Sequence, residues 1–287
     1  MARKICKIGQ MSVIGTPKTR IKHRLQTLRE AAFLVAVALA IWIVLAYLAL
    51  PAIWKRAERQ AALTGHAMLT RNGQGIAGEP INFALVGDEA EVLCAFRSAG
   101  WTLADSVTLR SGAKIAGSVM LRKPDPAAPV SPLYYGGRVE DVAFERPDGF
   151  SAAQRHHIRL WRLGDKLIDG RPLWLASASY DRGVGLSHFT LQVTHRIAPD
   201  LDAERAFVGE ALAKAGAIRS FHQIQGIGPT FRGRNAGGDP YYTDGEVLVG
   251  VLAPDCDLRP GAEIPPPDNP PHVDLRSALV HAFSGRH

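Results

Sequence analysis

Twenty consecutive residues, AAFLVAVALAIWIVLAYLAL (31–50), carry no charge and show no polar face. At 1.5 Å per residue they reach about 30 Å, the thickness of a bilayer's hydrocarbon layer. A buried core helix of that length would keep a polar stripe. A cleaved signal peptide would be shorter and would end in small residues, which PAIWKRAERQ does not offer. The pattern therefore predicts one transmembrane helix over 31–54, with Trp54 at the interface.

Beyond it the hydrophobic period changes repeatedly. PINFALVG (80–87) reads as a strand. DEAEVLCAFRSAG (88–100) reads as a helix capped by Asp88, with Val92, Phe96 and Ala99 on one face, Cys94 opposite, and Gly100 at its end. KIAGSVMLRK (114–123) alternates like a strand, and PDPAAPVSPLYYGG (124–137) is a loop. Alternation returns in 138–145, 155–163, 172–181 and 187–197, joined by PDGFSAAQ and GDKLIDGR. Residues 199–216 form a second helix, capped by Asp200 or Asp202 and stopped by Gly216. GEVLVGVL (245–252) is a last strand. A Pro-rich tail follows, with a short helix over 273–283 that has Asp274 as its cap. Together these predict an α+β fold: a mostly antiparallel sheet with at least two packed helices, preceded by one transmembrane helix. The organisation is a basic tail (1–30), the transmembrane helix (31–54), a connector (55–78), the α+β domain (79–253) and the tail (254–287).

Charge changes the picture by its location. The net charge of +7 sits in residues 1–30, with eight Lys and Arg against Glu30, and the other 257 residues hold 26 groups of each sign. The domain thus lacks the basic surface of a nucleic-acid binder. The basic flank predicts a cytoplasmic N-terminus by the positive-inside bias, in a bacterial inner membrane, with the domain in the periplasm. There Cys94 and Cys256 are free to pair or to remain thiols.

The candidate chemistry lies in QRHHIRLW (154–161). On a strand, His157, Arg159 and Trp161 share one face with Arg155, and His156, Ile158 and Leu160 share the other. Arg155, His157 and Arg159 form a basic stripe able to hold an anion. The favoured reading of that stripe is a solvated sheet face, because antiparallel sheets put their polar side to water. In LSHFTLQVTHRI, His195 falls on the apolar face with Phe189, Leu191, Val193 and Ile197. His156 and His195 are then expected as neighbours on the buried side, where Asp141 or Asp181 would complete a weak Zn²⁺ candidate. No HExxH or CxxC supports it, and no cofactor is favoured. NAGGDPYYTDG (235–245) reads as hairpin turns, and Ser131 lacks a nucleophile elbow.

INFALVGDEAEVLCAFRSAGWTLAD, APVSPLYYGGRVEDVAFE, RHHIRLW, RPLWLASASYDRGVGLSH, THRIAPDLDAER and GRNAGGDPYYTDGEVLVG, in that order, resemble the LssY C-terminal domain family. The resemblance runs from about Gly78 to Leu252. It implies a membrane-protein context and, through the family's name, a type I secretion gene cluster. Some relatives carry a phosphatidic-acid-phosphatase-type membrane module, whereas this chain offers a single anchor helix, so that chemistry is not implied here. The resemblance implies no catalytic residues. Two expectations follow. One is an accessory or binding protein of the cell envelope or a secretion apparatus. The other is a hydrolase of phosphate-bearing envelope molecules, using His157, Arg159, His195 and Asp181.

Overall fold

The computed structural model describes residues 17–50, 68–104, 132–149, 153–168, 170–263 and 271–284. The expected strand 114–123, Ser131, Trp54 and, in the Pro-rich tail, residues 264–270 and 285–287 lie outside them. Helix α1 (Pro17–Val44) continues as a π-helical turn over Leu45–Ala49, with Pro17 in a first-turn position where no backbone donor is needed. The helix begins well before the apolar run, so Lys18, Arg20, Lys22, Arg24 and Arg29 belong to it. Its segment Gln26–Ala49, 24 residues of mean hydropathy 2.7, is long and apolar enough to cross a membrane.

The C-terminal domain is α+β and mostly antiparallel. Its elements are β1 (Leu69–Asn72), β2 (Ala77–Pro80), β3 (Phe83–Val86), α2 (Glu89–Ser98), β4 (Thr102–Leu103), β5 (Leu133–Tyr135), β6 (Arg138–Val139) and β7 (Val142–Pro147). They continue with β8 (Arg155–Ile168), β9 (Arg171–Leu186), β10 (Val193–Ile197), α3 (Leu201–Lys214), β11 (Ile218–Gln225), β12 (Thr230–Arg234), β13 (Pro240–Thr243), β14 (Glu246–Leu252) and α4 (Pro271–Ser284). The main sheet runs β11-β14-β3-β9-β8-β7-β4, with β10 also paired to β9. Only the β14–β3 pair is parallel among those described. A smaller sheet runs β2-β1-β5-β6, and β12 and β13 form a hairpin.

Local chemistry explains the ends of the elements. Asp88 caps α2 in a reciprocal box: its side chain accepts from the Glu91 amide, and the Glu91 carboxylate accepts from the Asp88 amide. Asp200 caps α3, accepting from the amides of Asp202 and Ala203. Asn82 ties β3 to β9, donating to the Ala178 carbonyl and accepting from the Ala178 amide. The expected strand 138–145 is two strands, β6 and β7, one in each sheet. GDKLIDGR is largely strand, because β8 runs on to Ile168.

Both faces of the main sheet are covered. On one, Phe83, Leu85, Ile158, Leu160 and Trp174 pack against Val92 and Phe96 of α2 and Val208 and Leu212 of α3. On the other, Ala84, Trp161, Leu175, Val247 and Val249 pack against Leu133, Tyr135 and Met68 from the smaller sheet and its approach. This second layer decides the fate of the polar residues on β8.

Candidate functional site

The site is laid out by strand register. β8 and β9 pair Arg155 with Asp181, His157 with Ser179 and Arg159 with Ser177, and β7 sets Glu145 opposite His157. Paired residues point to the same side, so these seven polar side chains form one patch on the face that carries Trp161 and Leu175. The solvated-face expectation is corrected here. Arg155, His157, Arg159 and Asp181 are 1%, 3%, 6% and 2% exposed. An antiparallel sheet wets one face only when nothing packs there, and here the smaller sheet and the turns 187–192 and 235–239 do.

A β-bulge brings in the next residue. Arg196 pairs with Gly183 and Ile197 with Asp181, so Arg182 is an extra residue on β9. An unpaired residue shifts the alternation of its strand by one position. His195, opposite Val184, is thereby turned to the Asp181 side, its Nδ1 4.0 Å from Asp181 Oδ2. The expected strand 187–197 is cut short by the same region: residues 187–192 turn, with the Ser187 amide donating to the Gln192 carbonyl, Leu191 at φ 58°, and Ser187 Oγ accepting from the amides of Phe189 and Thr190.

His156 therefore does not meet His195. It lies on the opposite face, stacked on Phe207 of α3 at 3.8 Å with its Nδ1 2.8 Å from Glu204 Oε2. It is a boundary histidine with a hydrogen-bond partner. Asp141 is elsewhere again, half-exposed, accepting from Arg138 and from the Arg162 amide. The Zn²⁺ grouping of His156, His195 and Asp141 is thus separated by the two faces of the sheet. No group of three or more His, Cys, Asp or Glu able to hold a metal occurs among the described residues.

The electrostatics of the patch are uneven. Arg155 donates through Nε to Asp181 (3.1 Å) and through its terminal nitrogen to Glu145 (2.6 Å), a buried ion triad. His157 Nε2 and Ser179 Oγ are 2.9 Å apart. His157 Nδ1 lies 3.3 Å from Asp181 Oδ2 but off the line of a hydrogen bond. Burial would raise the Asp181 pKa. The neighbouring His157, His195 and Arg155 side chains outweigh it, and the carboxyl is held below its ordinary range. His195 is pushed down to about 4, first by burial and then by Arg155, His157 and Arg159, with Asp181 opposing. Its imidazole is neutral at pH 7.

Arg159 differs from Arg155. It has no carboxylate partner among the described residues, and its Nε makes no hydrogen bond. Ser177 Oγ opposite it and His195 Nε2 are likewise buried without partners. Arg159 and His195 border a cavity of about 280 Å³, which is also lined by Asn72, Gln74, Glu79, Thr194 and Asn235. The β12–β13 turn closes one side: Asn235 Oδ1 accepts from the amides of Gly237 and Asp239. Gly238 (φ +82°) runs against the 187–192 turn so closely that a Cβ would lie 2.7 Å from His188 Cβ. NAGGDPYYTDG is thus a hairpin turn. Its aspartates are held by arginines, Asp239 by Arg196 (2.9 Å) and Asp244 by Arg205 (2.7 Å).

The cavity brings together Arg155, His157, Arg159, Asp181 and His195. Sequence reasoning missed Glu145 and Ser179, which strand pairing alone adds, and Glu79 and Asn235, which come from β2 and the distant β12–β13 turn. β2 falls in the stretch 55–78 and its margin, read as connector, where no alternation marked a wall.

Fold and site together define an α+β domain with a buried, charge-bearing cavity, preceded in the chain by a helix long and apolar enough to cross a membrane. The chain belongs to the family described as LssY C-terminus, which matches residues 60–247. No curated protein and no solved structure matches it.

Proposed function

We propose that this is a membrane-anchored, periplasmic binding domain of the cell envelope whose cavity takes up a small anionic ligand, phosphate-bearing by preference. The observation that carries this reading is Arg159. Burying a guanidinium without an anion costs several kcal/mol. A bound anion supplies the missing charge, and a planar guanidinium suits phosphate oxygens. Ser177 and His157 bring further hydrogen-bonding groups to the same patch. The basic flank of α1 supports the orientation, and the disulfide between Cys94 and Cys256 (Cα–Cα 6.1 Å) supports an oxidising compartment. An accessory role beside an envelope or secretion apparatus fits such a domain.

Titration of the full chain in nanodiscs with inorganic phosphate tests the cavity. Binding that weakens at least about tenfold in Arg159→Met, and not in Asp141→Asn, supports the reading. Saturating phosphate that binds neither protein, or both equally, rejects it. Protease added to spheroplasts should digest the domain, and protection there would reverse the orientation.

A second reading, phosphoester hydrolysis, draws on one further observation: a neutral His195 beside Asp181 has the composition of a base and its orienting carboxylate. A phosphomonoesterase assay with His157→Ala and Arg159→Ala separates the readings. Turnover lost in both variants supports hydrolysis, and turnover absent or unchanged leaves binding alone.

A further inference from the structure

The cavity holds a second unbalanced charge. Glu79 on β2 is 7% exposed and has no cationic partner among the described residues. Its Oε1 accepts from Asn235 Nδ2 at 3.1 Å. That amide is aimed by its own oxygen, which the Gly237 and Asp239 amides hold. The backbone of Glu79 is pinned as well: Thr70 Oγ1 donates to its carbonyl at 2.6 Å, and Gly78 beside it leaves no room for a Cβ, which would meet Thr70 Oγ1 at 2.6 Å. A rigidly placed buried carboxylate and a buried guanidinium therefore line one cavity and do not pair with each other.

A ligand that satisfies both needs an anion at one end and hydrogen-bond donors at the other. Asn72 and Gln74, from the β1–β2 turn, border the same space as Glu79. Amides both donate and accept, and so do hydroxyls, whereas an ammonium only donates and would leave the amide NH₂ groups unmatched. No Phe, Tyr or Trp lines the cavity among the described residues, so neither a stacked base nor an aromatic cage for a quaternary amine is present. At roughly 30 Å³ per water, 280 Å³ holds on the order of nine waters, several times the space a lone phosphate fills.

We propose that the ligand is a phosphate ester of a polyhydroxylated compound, a sugar phosphate or phosphopolyol, its phosphate on Arg159 and its hydroxyls on Glu79 and the neighbouring amides. This rests on the anion-binding reading above and specifies it. Glu79 acts as the specificity residue. It repels a second anionic group and rewards hydroxyls, while Arg159 supplies affinity common to all phosphates.

The test titrates the full chain in phosphatidylcholine nanodiscs with inorganic phosphate, glucose 1-phosphate, phosphoethanolamine and glucose. Glucose 1-phosphate should bind at least about tenfold tighter than inorganic phosphate, the worth of hydrogen bonds to a charged acceptor. Glu79→Gln keeps an acceptor for Asn235. It should shrink that margin to about twofold while leaving the inorganic phosphate affinity no weaker, because a negative charge leaves the cavity. Gln74→Ala, in the partly exposed β1–β2 turn, should shrink it less and serves if Glu79→Gln folds poorly. Equal affinity for phosphate and glucose 1-phosphate, a margin that survives both variants, or tighter binding of phosphoethanolamine would overturn the ligand class and leave the anion site standing. Failure of every phosphate compound to bind would overturn the anion site and this inference with it. Adding phosphatidylglycerol to the nanodiscs identifies the source: competition with glucose 1-phosphate assigns a lipid headgroup, and unchanged affinity assigns a soluble ester.

Discussion

Arg155 and Arg159 stand two residues apart on one strand and do opposite work. Arg155 bridges Glu145 and Asp181 and holds the sheet's second face together. Arg155→Met should cost about 3–5 kcal/mol, because it removes the cation between two buried carboxylates, and a denaturant melt would register the loss. Arg159→Met takes away a buried charge that no carboxylate among the described residues balances. It should leave stability unchanged or raised while it weakens anion binding, so the two variants separate structure from ligand binding in one experiment. His195 adds a pH dependence. Its folded pKa, about 4, lies below its ordinary 6.5, so the unfolded chain binds the extra proton between those values. Stability is then fully present above about pH 6.5 and falls as the pH drops towards 4, by on the order of 1–3 kcal/mol. Asp181, whose pKa is lowered, adds its own loss below its ordinary value of 3.8. Melting temperatures measured from pH 7.5 to 4 should show the first slope in the wild type and a flatter one in His195→Asn.

At the scale of elements, one extra residue decides the composition of the site. Alternation assigned His195 to the side of Ile197 correctly, since both are odd positions of β10. That this is the Asp181 side depends on the bulge at Arg182, which no periodicity of 187–197 reveals. Inserting one alanine between Arg196 and Ile197 would give Arg182 a partner and remove the bulge, and should turn His195 away and weaken phosphate binding at least about tenfold, with β content by circular dichroism unchanged. Retained binding in the insertion variant would mean that His195 contributes nothing to the cavity. The helices were more legible. Asp88 and Asp200 cap them through short-range hydrogen bonds, and Gly100 and Gly216 follow their ends with positive φ, so a window of a dozen residues contains all the relevant chemistry.

At the scale of the molecule, a single disulfide joins α2 to the segment after β14, 162 residues apart. Closing so long a loop restricts the unfolded chain strongly, so reduction or Cys94→Ser should cost about 2–5 kcal/mol and lower the melting temperature by roughly 5–15 °C. A thermal melt with and without reductant checks this, and an unchanged midpoint would mean that the two thiols are free in solution. The apolar helix, the α+β class, the two capped helices, the family and the strand on which Arg155, His157 and Arg159 share a face were all legible in the amino-acid order. Each follows from spacing within one element or from the order of residues along the chain. That this polar face is interior, that Glu145, Glu79, Asn235 and His195 complete its surroundings, and that His156 and His195 lie on opposite sides came from the packing of distant segments. Alternation tells which side chains share a face, but whether that face meets water depends on what packs upon it. Here the covering layer comes from a small sheet and two turns, up to 156 residues apart where Glu79 meets Asn235.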